Sequence, residues 1–298
     1  MSHKSKVSLA EQLKNTLTAK LAIGRSKAKD KKDGVDCREY IYSWNTYKTY
    51  YKQGKAFIKF CKSNGYKCRT LADCRPYCDS WLADGMARGL SPFTLKLYVA
   101  TLSKIYSETS ESFIETPARL RKNVFRSRRA AVRDKNFSIE KHADLLEFAA
   151  STSLRRAELK ALRGNKLIQD ADGNYRILVN SASKGGRPRE ALIIGNVQKI
   201  VDMMRAAGDG KVFPDGVPSA IDIHHQRSQY ACDLYRQLMK TEGIPNDPKD
   251  RYICRRDMRS RVYSKKLMAV VSQNLGHSRI GIIAQAYLYQ LSAAELKT

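Results

Sequence analysis

Six side chains in this sequence have the types and order needed for a metal-free attack on a phosphodiester. Tyr287 is a late tyrosine, and Leu275-Gly276-His277 ends ten residues before it. His224-His225-Gln226-Arg227 lies further upstream, and Ser153-Leu154-Arg155-Arg156-Ala157-Glu158-Leu159 further still. Between the two arginine segments, Lys184 stands in Ser183-Lys184-Gly185-Gly186-Arg187. Breaking a phosphodiester without metal takes a nucleophile, an acid for the leaving oxygen and positive charge on the phosphate. A tyrosine hydroxyl can be the nucleophile and become covalently bonded to phosphorus. That bond keeps the energy of the broken one, so the backbone can be resealed without ATP. Arginine suits the stabilising role because its planar fork grips two phosphate oxygens at once. Such contacts tighten as charge builds in the transition state.

The whole chain fits a polyanionic partner. Lys and Arg number 55 against 29 Asp and Glu, a formal net charge of +26. A chain this basic repels itself, and a polyanion offsets that cost. Nucleic acid is the leading candidate, because neutralising phosphates releases counterions. An anionic membrane is the rival, but the sequence has no apolar run long enough to span a bilayer and no apolar leader with a cleavage site. The 42% hydrophobic content argues against global disorder, and 298 residues suggest about two domains.

The seven cysteines are Cys37, Cys61, Cys68, Cys74, Cys78, Cys232 and Cys254. An odd number in a chain that reads as intracellular makes free thiols the expectation. Cys74 and Cys78 stand four apart near Cys61 and Cys68, so zinc must be weighed. The spacing fits no common zinc pattern and no histidine is near, which favours small buried residues.

The elements that must position the six residues follow from periodicity. Residues 1–34 read as a basic N-terminal arm. Within it, Ser8-x-x-Glu11 is a capping box, followed by Leu9, Leu13, Leu17 and Leu21 at helical spacing. Residues 35–112 read as all-helical, with helices over Tyr40–Lys62, Leu71–Met86 and from Ser91-Pro92 onward. Residues 113–136 read as a basic linker. Residues 137–298 read as the second domain. There Ser138 caps a helix to about Ser151, and another covers Arg156–Leu162. Strands at Lys166–Gln169 and Tyr175–Asn180 pair around Asp172-Gly173, and a third spans Ala191–Ile194. Helices follow over Val197–Ala207, Ala220–Lys240, Lys265–Leu275 and Ile280–Tyr289. The expected fold class is mainly α with a small antiparallel β-sheet (α+β).

The order and the local words resemble the tyrosine recombinase family, also called phage integrases. Ser153 to Leu159 is close to that family's Gly-Leu-Arg-x-x-Glu-Leu box. His224 to Ala231 is similar to its His-x-x-Arg box, including the aromatic-Ala pair Tyr230-Ala231. Leu275-Gly276-His277 is similar to its Leu-Gly-His box, and Lys184 to its lysine in a turn between strands. The likeness is strongest over residues 137–290. Residues 35–112 resemble the family's helical, SAM-like core-binding domain in size and pattern only. Words such as Ser-Lys-Gly-Gly-Arg-x-Arg-Glu look most like prophage-type integrases of proteobacteria.

The resemblance implies that Tyr287 attacks the scissile phosphate to form a 3′-phosphotyrosine. It implies that Arg155 and Arg227 hold the non-bridging oxygens and that His277 hydrogen-bonds to the phosphate. Lys184 would protonate the leaving 5′ oxygen, and His224 would support the site. It implies no metal or cofactor and a cytoplasmic bacterial protein, without a membrane partner. Its partner would be double-stranded DNA at an attachment or recombination site, bound by a homotetramer with an accessory DNA-bending protein.

Two departures stand out. The family usually places its tyrosine nine residues after the last box histidine; here that position is Ala286, Tyr287 is one later, and Tyr289 is a competitor. The stretch from Arg227 to His277 is also longer than usual, and its basic segment Gly243–Arg261 reads as an inserted loop on DNA. Two rivals remain: a type IB topoisomerase, and a DNA-binding regulator or accessory protein that does not cleave.

Overall fold

The computed structural model describes residues 7–123, 138–180, 188–242 and 247–296. The chain divides into two compact units, Met1–Phe125 and Arg126–Thr298. Each has a hydrophobic core of its own.

Unit 1 is helical. Helix α1 (Leu9–Ala19) starts at Ser8, whose Oγ accepts the Glu11 N–H at 3.2 Å. Leu9, Leu13 and Leu17 share one face of that helix and are buried. Fully burying a leucine contributes about 1.5–3 kcal/mol, so α1 is part of the core rather than a trailing arm. A short α2 (Lys27–Lys32) leads to α3 (Trp44–Ser63), which starts at the Ser43 cap. The expected helical start at Tyr40 fails because Ile41 pairs its backbone with Lys20 and Ala22. In α3, Gly54 carries no side chain because a Cβ there would lie 2.7 Å from Leu13 Cδ2 of α1.

The single helix expected over Leu71–Met86 is two, α4 (Leu71–Cys74) and α5 (Cys78–Ala87), joined by a 3-10 turn over Arg75–Tyr77. Pro76 lacks the N–H that a continuous helix would need there. Helix α6 (Pro92–Tyr106) begins on the Ser91 cap with proline in its first turn, as the sequence predicts. Phe113 is buried in the same core, so the start of the segment read as a linker belongs to this unit.

Unit 2 is mixed. A 3-10 turn over Glu140–His142 runs into α7 (Ala143–Ser151), and α8 (Arg156–Ala161) follows. Strands β1 (Leu167–Gln169), β2 (Tyr175–Val179) and β3 (Arg189–Leu192) form an antiparallel sheet in the order β1-β2-β3. Leu167 faces Ile177 across the first pair, and Ile177 faces Ala191 across the second. Helices α9 (Val197–Ala207) and α10 (Ile223–Glu242) come next. The described part of the basic insert forms β4 (Arg251–Ile253), which pairs in a hairpin with β5 (Val262–Ser264) just beyond the insert. Helices α11 (Lys265–Leu275) and α12 (Gly281–Ala286) complete the unit. The helix expected over Ile280–Tyr289 breaks at Tyr287, whose φ of −122° and ψ of −59° are not helical, and a 3-10 turn over Leu288–Gln290 follows. The fold class is mainly α with a small antiparallel sheet, as expected. Among the described residues, no helix is long and apolar enough to cross a membrane.

Candidate active site

The site lies within unit 2 and is organised by the C-terminal end of α11. The last carbonyls of any helix lack intrahelical partners and carry partial negative charge. Here three arginines from three other elements take them. Arg155, just before α8, donates through Nη2 to the carbonyls of Leu275 and Gly276, both at 3.0 Å. Arg227, on α10, donates to Leu275 O at 2.9 Å and to Ser153 O. Arg189, at the start of β3, donates to Asn274 O at 2.9 Å.

Gly276 makes this possible. Its φ of +68° ends α11 in the left-handed region, which costs a side-chain-bearing residue about 1–2 kcal/mol. The turn lets the Gly276 and His277 amides donate back to Gln273 O and Ser272 O, both at 2.9 Å. Leu-Gly-His is therefore, physically, a helix stop that delivers a histidine. Asn274 anchors this helix end to the sheet by accepting the Leu192 amide at 2.8 Å.

Three guanidiniums in one pocket need a counter-charge, and Glu158 supplies it. Its carboxylate accepts Arg189 at 2.9 and 2.7 Å, the Arg155 side chain at 2.9 Å and the Arg155 amide at 2.7 Å. Burial alone would raise its pKa, but Arg189 and then Arg155 outweigh it and hold the carboxyl down at about 2. One carboxylate against three arginines leaves the pocket positive. Arg155 and Glu158 stand three apart, and their ion pair is a part of this network. Arg156 faces elsewhere and donates to Pro218 O and Ile221 O in the loop ahead of α10.

Tyr287 meets these groups. Its hydroxyl is 2.9 Å from His277 Nε2 and 3.5 Å from Arg227 Nη2. The His224 ring lies edge-on to the Tyr287 ring, with centroids 5.1 Å apart and planes at 84°. His224 and Arg227 are three apart on α10, hence on one side of that helix. The α10 turn that follows also fixes the tyrosine backbone, because Ser228 Oγ donates to Tyr287 O at 2.7 Å. Tyr287 is only 5% exposed.

Burial first, and then the charges of Arg227, Arg155 and Arg189, push the His277 imidazole down to about 4, so it is neutral at pH 7. Burial also lowers the Arg227 guanidinium from its ordinary value, a shift opposed by Tyr287.

Five of the six residues singled out by sequence are thus brought together: Arg155, His224, Arg227, His277 and Tyr287. Lys184 lies outside the described residues. Tyr289 sits past the break and takes a hydrogen bond from Gln290 at 3.3 Å, while its carbonyl accepts Arg261. Sequence reasoning gave no role to Arg189, Ser153 or Asn274. Arg189 stands in the quoted Ser-Lys-Gly-Gly-Arg-x-Arg-Glu word, the one signal that could have marked it.

No protein-family model matches the chain, and no curated protein matches its sequence. Among solved structures, the fold is similar to the Tn1549 transposon integrase (residues 82–397) in complex with transposon right end DNA. The TM-score is 0.42 at 11% identity, covering 98% of this chain and 97% of that one. The same integrase with circular intermediate DNA gives 0.41 at 12% identity, covering 94% and 95%. The XerA recombinase gives 0.32 at 15% identity, covering 96% of each chain.

Proposed function

We propose that this chain is a tyrosine-type site-specific DNA recombinase that cuts and reseals duplex DNA to integrate or excise a mobile element. The observation that carries the reading is the placement of the Tyr287 hydroxyl against His277 and Arg227, at the edge of a three-arginine pocket with one carboxylate. A pocket of that charge is suited to a phosphate. Arg155 and Arg227 hold its non-bridging oxygens, which stabilises the extra charge of the five-coordinate transition state. Neutral His277 faces the tyrosine hydroxyl in the free protein and hydrogen-bonds to the phosphate when DNA is bound. His224 packs against the Tyr287 ring and supports its position.

The Tyr287 oxygen bonds to phosphorus as the bond to the 5′ oxygen breaks, giving a 3′-phosphotyrosine and a free 5′ hydroxyl. Lys184 gives the proton that the leaving oxygen needs, and the tyrosine proton passes to a neighbouring base. The 5′ hydroxyl of a partner strand reverses the step. The reading includes a cytoplasmic homotetramer on paired sites, assisted by a DNA-bending protein. The basic insert Gly243–Arg261 touches the DNA backbone in this scheme.

A nicked suicide substrate carrying the ends of the element tests the reading. A covalent protein–DNA adduct is expected in EDTA, lost in Tyr287→Phe and kept in Tyr289→Phe. An adduct that follows Tyr289 would overturn the nucleophile assignment. No adduct on any element end would favour the non-cleaving regulator. Relaxation of plasmid without site preference would favour the topoisomerase.

A further inference from the structure

Unit 1 holds a cluster of thiols that the proposed chemistry does not use. Cys61 lies near the end of α3, Cys68 in the connection to α4, and Cys74 at the end of α4. Their three Sγ atoms all lie within 4.8 Å of one another. Cys61 and Cys74 are fully buried and Cys68 is partly exposed, so the cluster opens to solvent on one side. The sequence spacing, with six residues between the first pair and five between the second, matches no common zinc pattern. The fold supplies what the spacing does not, because the turn after α3 brings Cys68 back over its end.

We propose that Cys61, Cys68 and Cys74 form a binding site for a thiophilic d10 cation of the Zn2+ type, with the fourth ligand drawn from solvent on the Cys68 side. Bonds of about 2.3 Å to a tetrahedral ion put sulfurs about 3.8 Å apart. The cluster therefore needs to contract by at most about 1 Å, from a longest possible separation of 4.8 Å. The partly exposed Cys68, in a non-helical segment, is the ligand able to move. The outer side of that segment is already held, because Gln12 donates to Arg69 O at 3.0 Å and accepts the Leu71 amide at 3.1 Å. A metal ion would fix the inner side. Each thiol gives its proton to solvent as its sulfur binds, so up to three protons leave per ion. Because each sulfur binds as the thiolate, binding must tighten as pH rises.

The test uses the full-length chain, chelator-stripped and reduced in an anaerobic chamber, titrated with Cd2+ and Co2+ as spectroscopic probes and then with Zn2+. One equivalent is expected to saturate a thiolate-to-metal charge-transfer band. Zn2+ should displace Co2+ and raise the thermal midpoint. Cys68→Ala should remove the band and the thermal shift while keeping the fold of the stripped protein, since Cys68 is only partly buried at the edge of the core. Cys37→Ala, outside the cluster, should change neither. No stoichiometric band, or a band that survives Cys68→Ala, overturns the proposal. So does a Cys61–Cys74 or Cys68–Cys74 disulfide in place of metal uptake. The readout is independent of DNA cleavage, so its outcome is separate from that of the proposed function.

Discussion

A neutral histidine beside a tyrosine hydroxyl, inside a ring of arginines, should show itself by titration. His277 is expected to gain its proton near pH 4 in the free protein, against about 6.5 for an ordinary imidazole. Between those values the unfolded chain binds a proton that the folded chain refuses, so stability falls as pH drops through that window. Nitrogen-detected NMR of labelled histidine gives the value directly; a midpoint at or above 6.5 would sink the assignment. Bound sulfate or a short duplex should raise the midpoint, because an anion screens the three guanidiniums.

Glu158 offers a second test at this scale. Glu158→Gln keeps the shape but removes the one negative charge that Arg189 and Arg155 share. Breaking a buried pair costs about 3–5 kcal/mol, and denaturant unfolding should show a loss of that order. Added polyanion should recover part of it. A loss under about 1 kcal/mol would mean that the pair behaves as a surface ion pair.

The end of α11 is the element on which the rest depends. Gly276→Ala forces a side chain into φ +68° and brings a Cβ to 3.0 Å from Arg189 Cδ. The backbone penalty alone is about 1–2 kcal/mol. The expected result is a lower thermal midpoint together with loss of the covalent adduct, followed by scanning calorimetry and the suicide substrate. A wild-type adduct level in this variant would show that the helix stop does not position the site.

Much of this element was legible in sequence, because Leu-Gly-His marks a helical stop by residue type alone. Asp172-Gly173 likewise marked its hairpin, and Ser91-Pro92 its helix start. What escaped has a common cause. Arg189 looks like one more arginine in a basic chain, and only tertiary approach brings it to Asn274 and Glu158. The β4–β5 hairpin escaped because its strands are three residues each, too short to show an alternating pattern. The break at Tyr287 escaped because Ala286, Tyr287 and Leu288 are all compatible with helix; the contacts with Ser228 and His277 override that preference. The capture of α1 by unit 1 was hidden by the basic residues that flank it in sequence.

At the scale of the whole molecule, charge is the first prediction. With a net charge of +26, binding to duplex DNA should weaken steeply with salt. Six to ten phosphate contacts correspond to a loss of roughly 10³ to 10⁵ in affinity between 50 and 200 mM salt. Fluorescence anisotropy across that range measures the slope, and a flat response would exclude a phosphate-dominated interface. The second prediction concerns assembly. Ser228 ties the Tyr287 backbone to α10, one residue past Arg227, so each chain carries Tyr287 beside its own arginines. Two crippled chains, one Tyr287→Phe and the other Arg227→Ala, should therefore fail to rescue each other when mixed. In genetic terms the two lesions belong to a single complementation group: under the proposed function, every copy must be whole to cut the strand it holds.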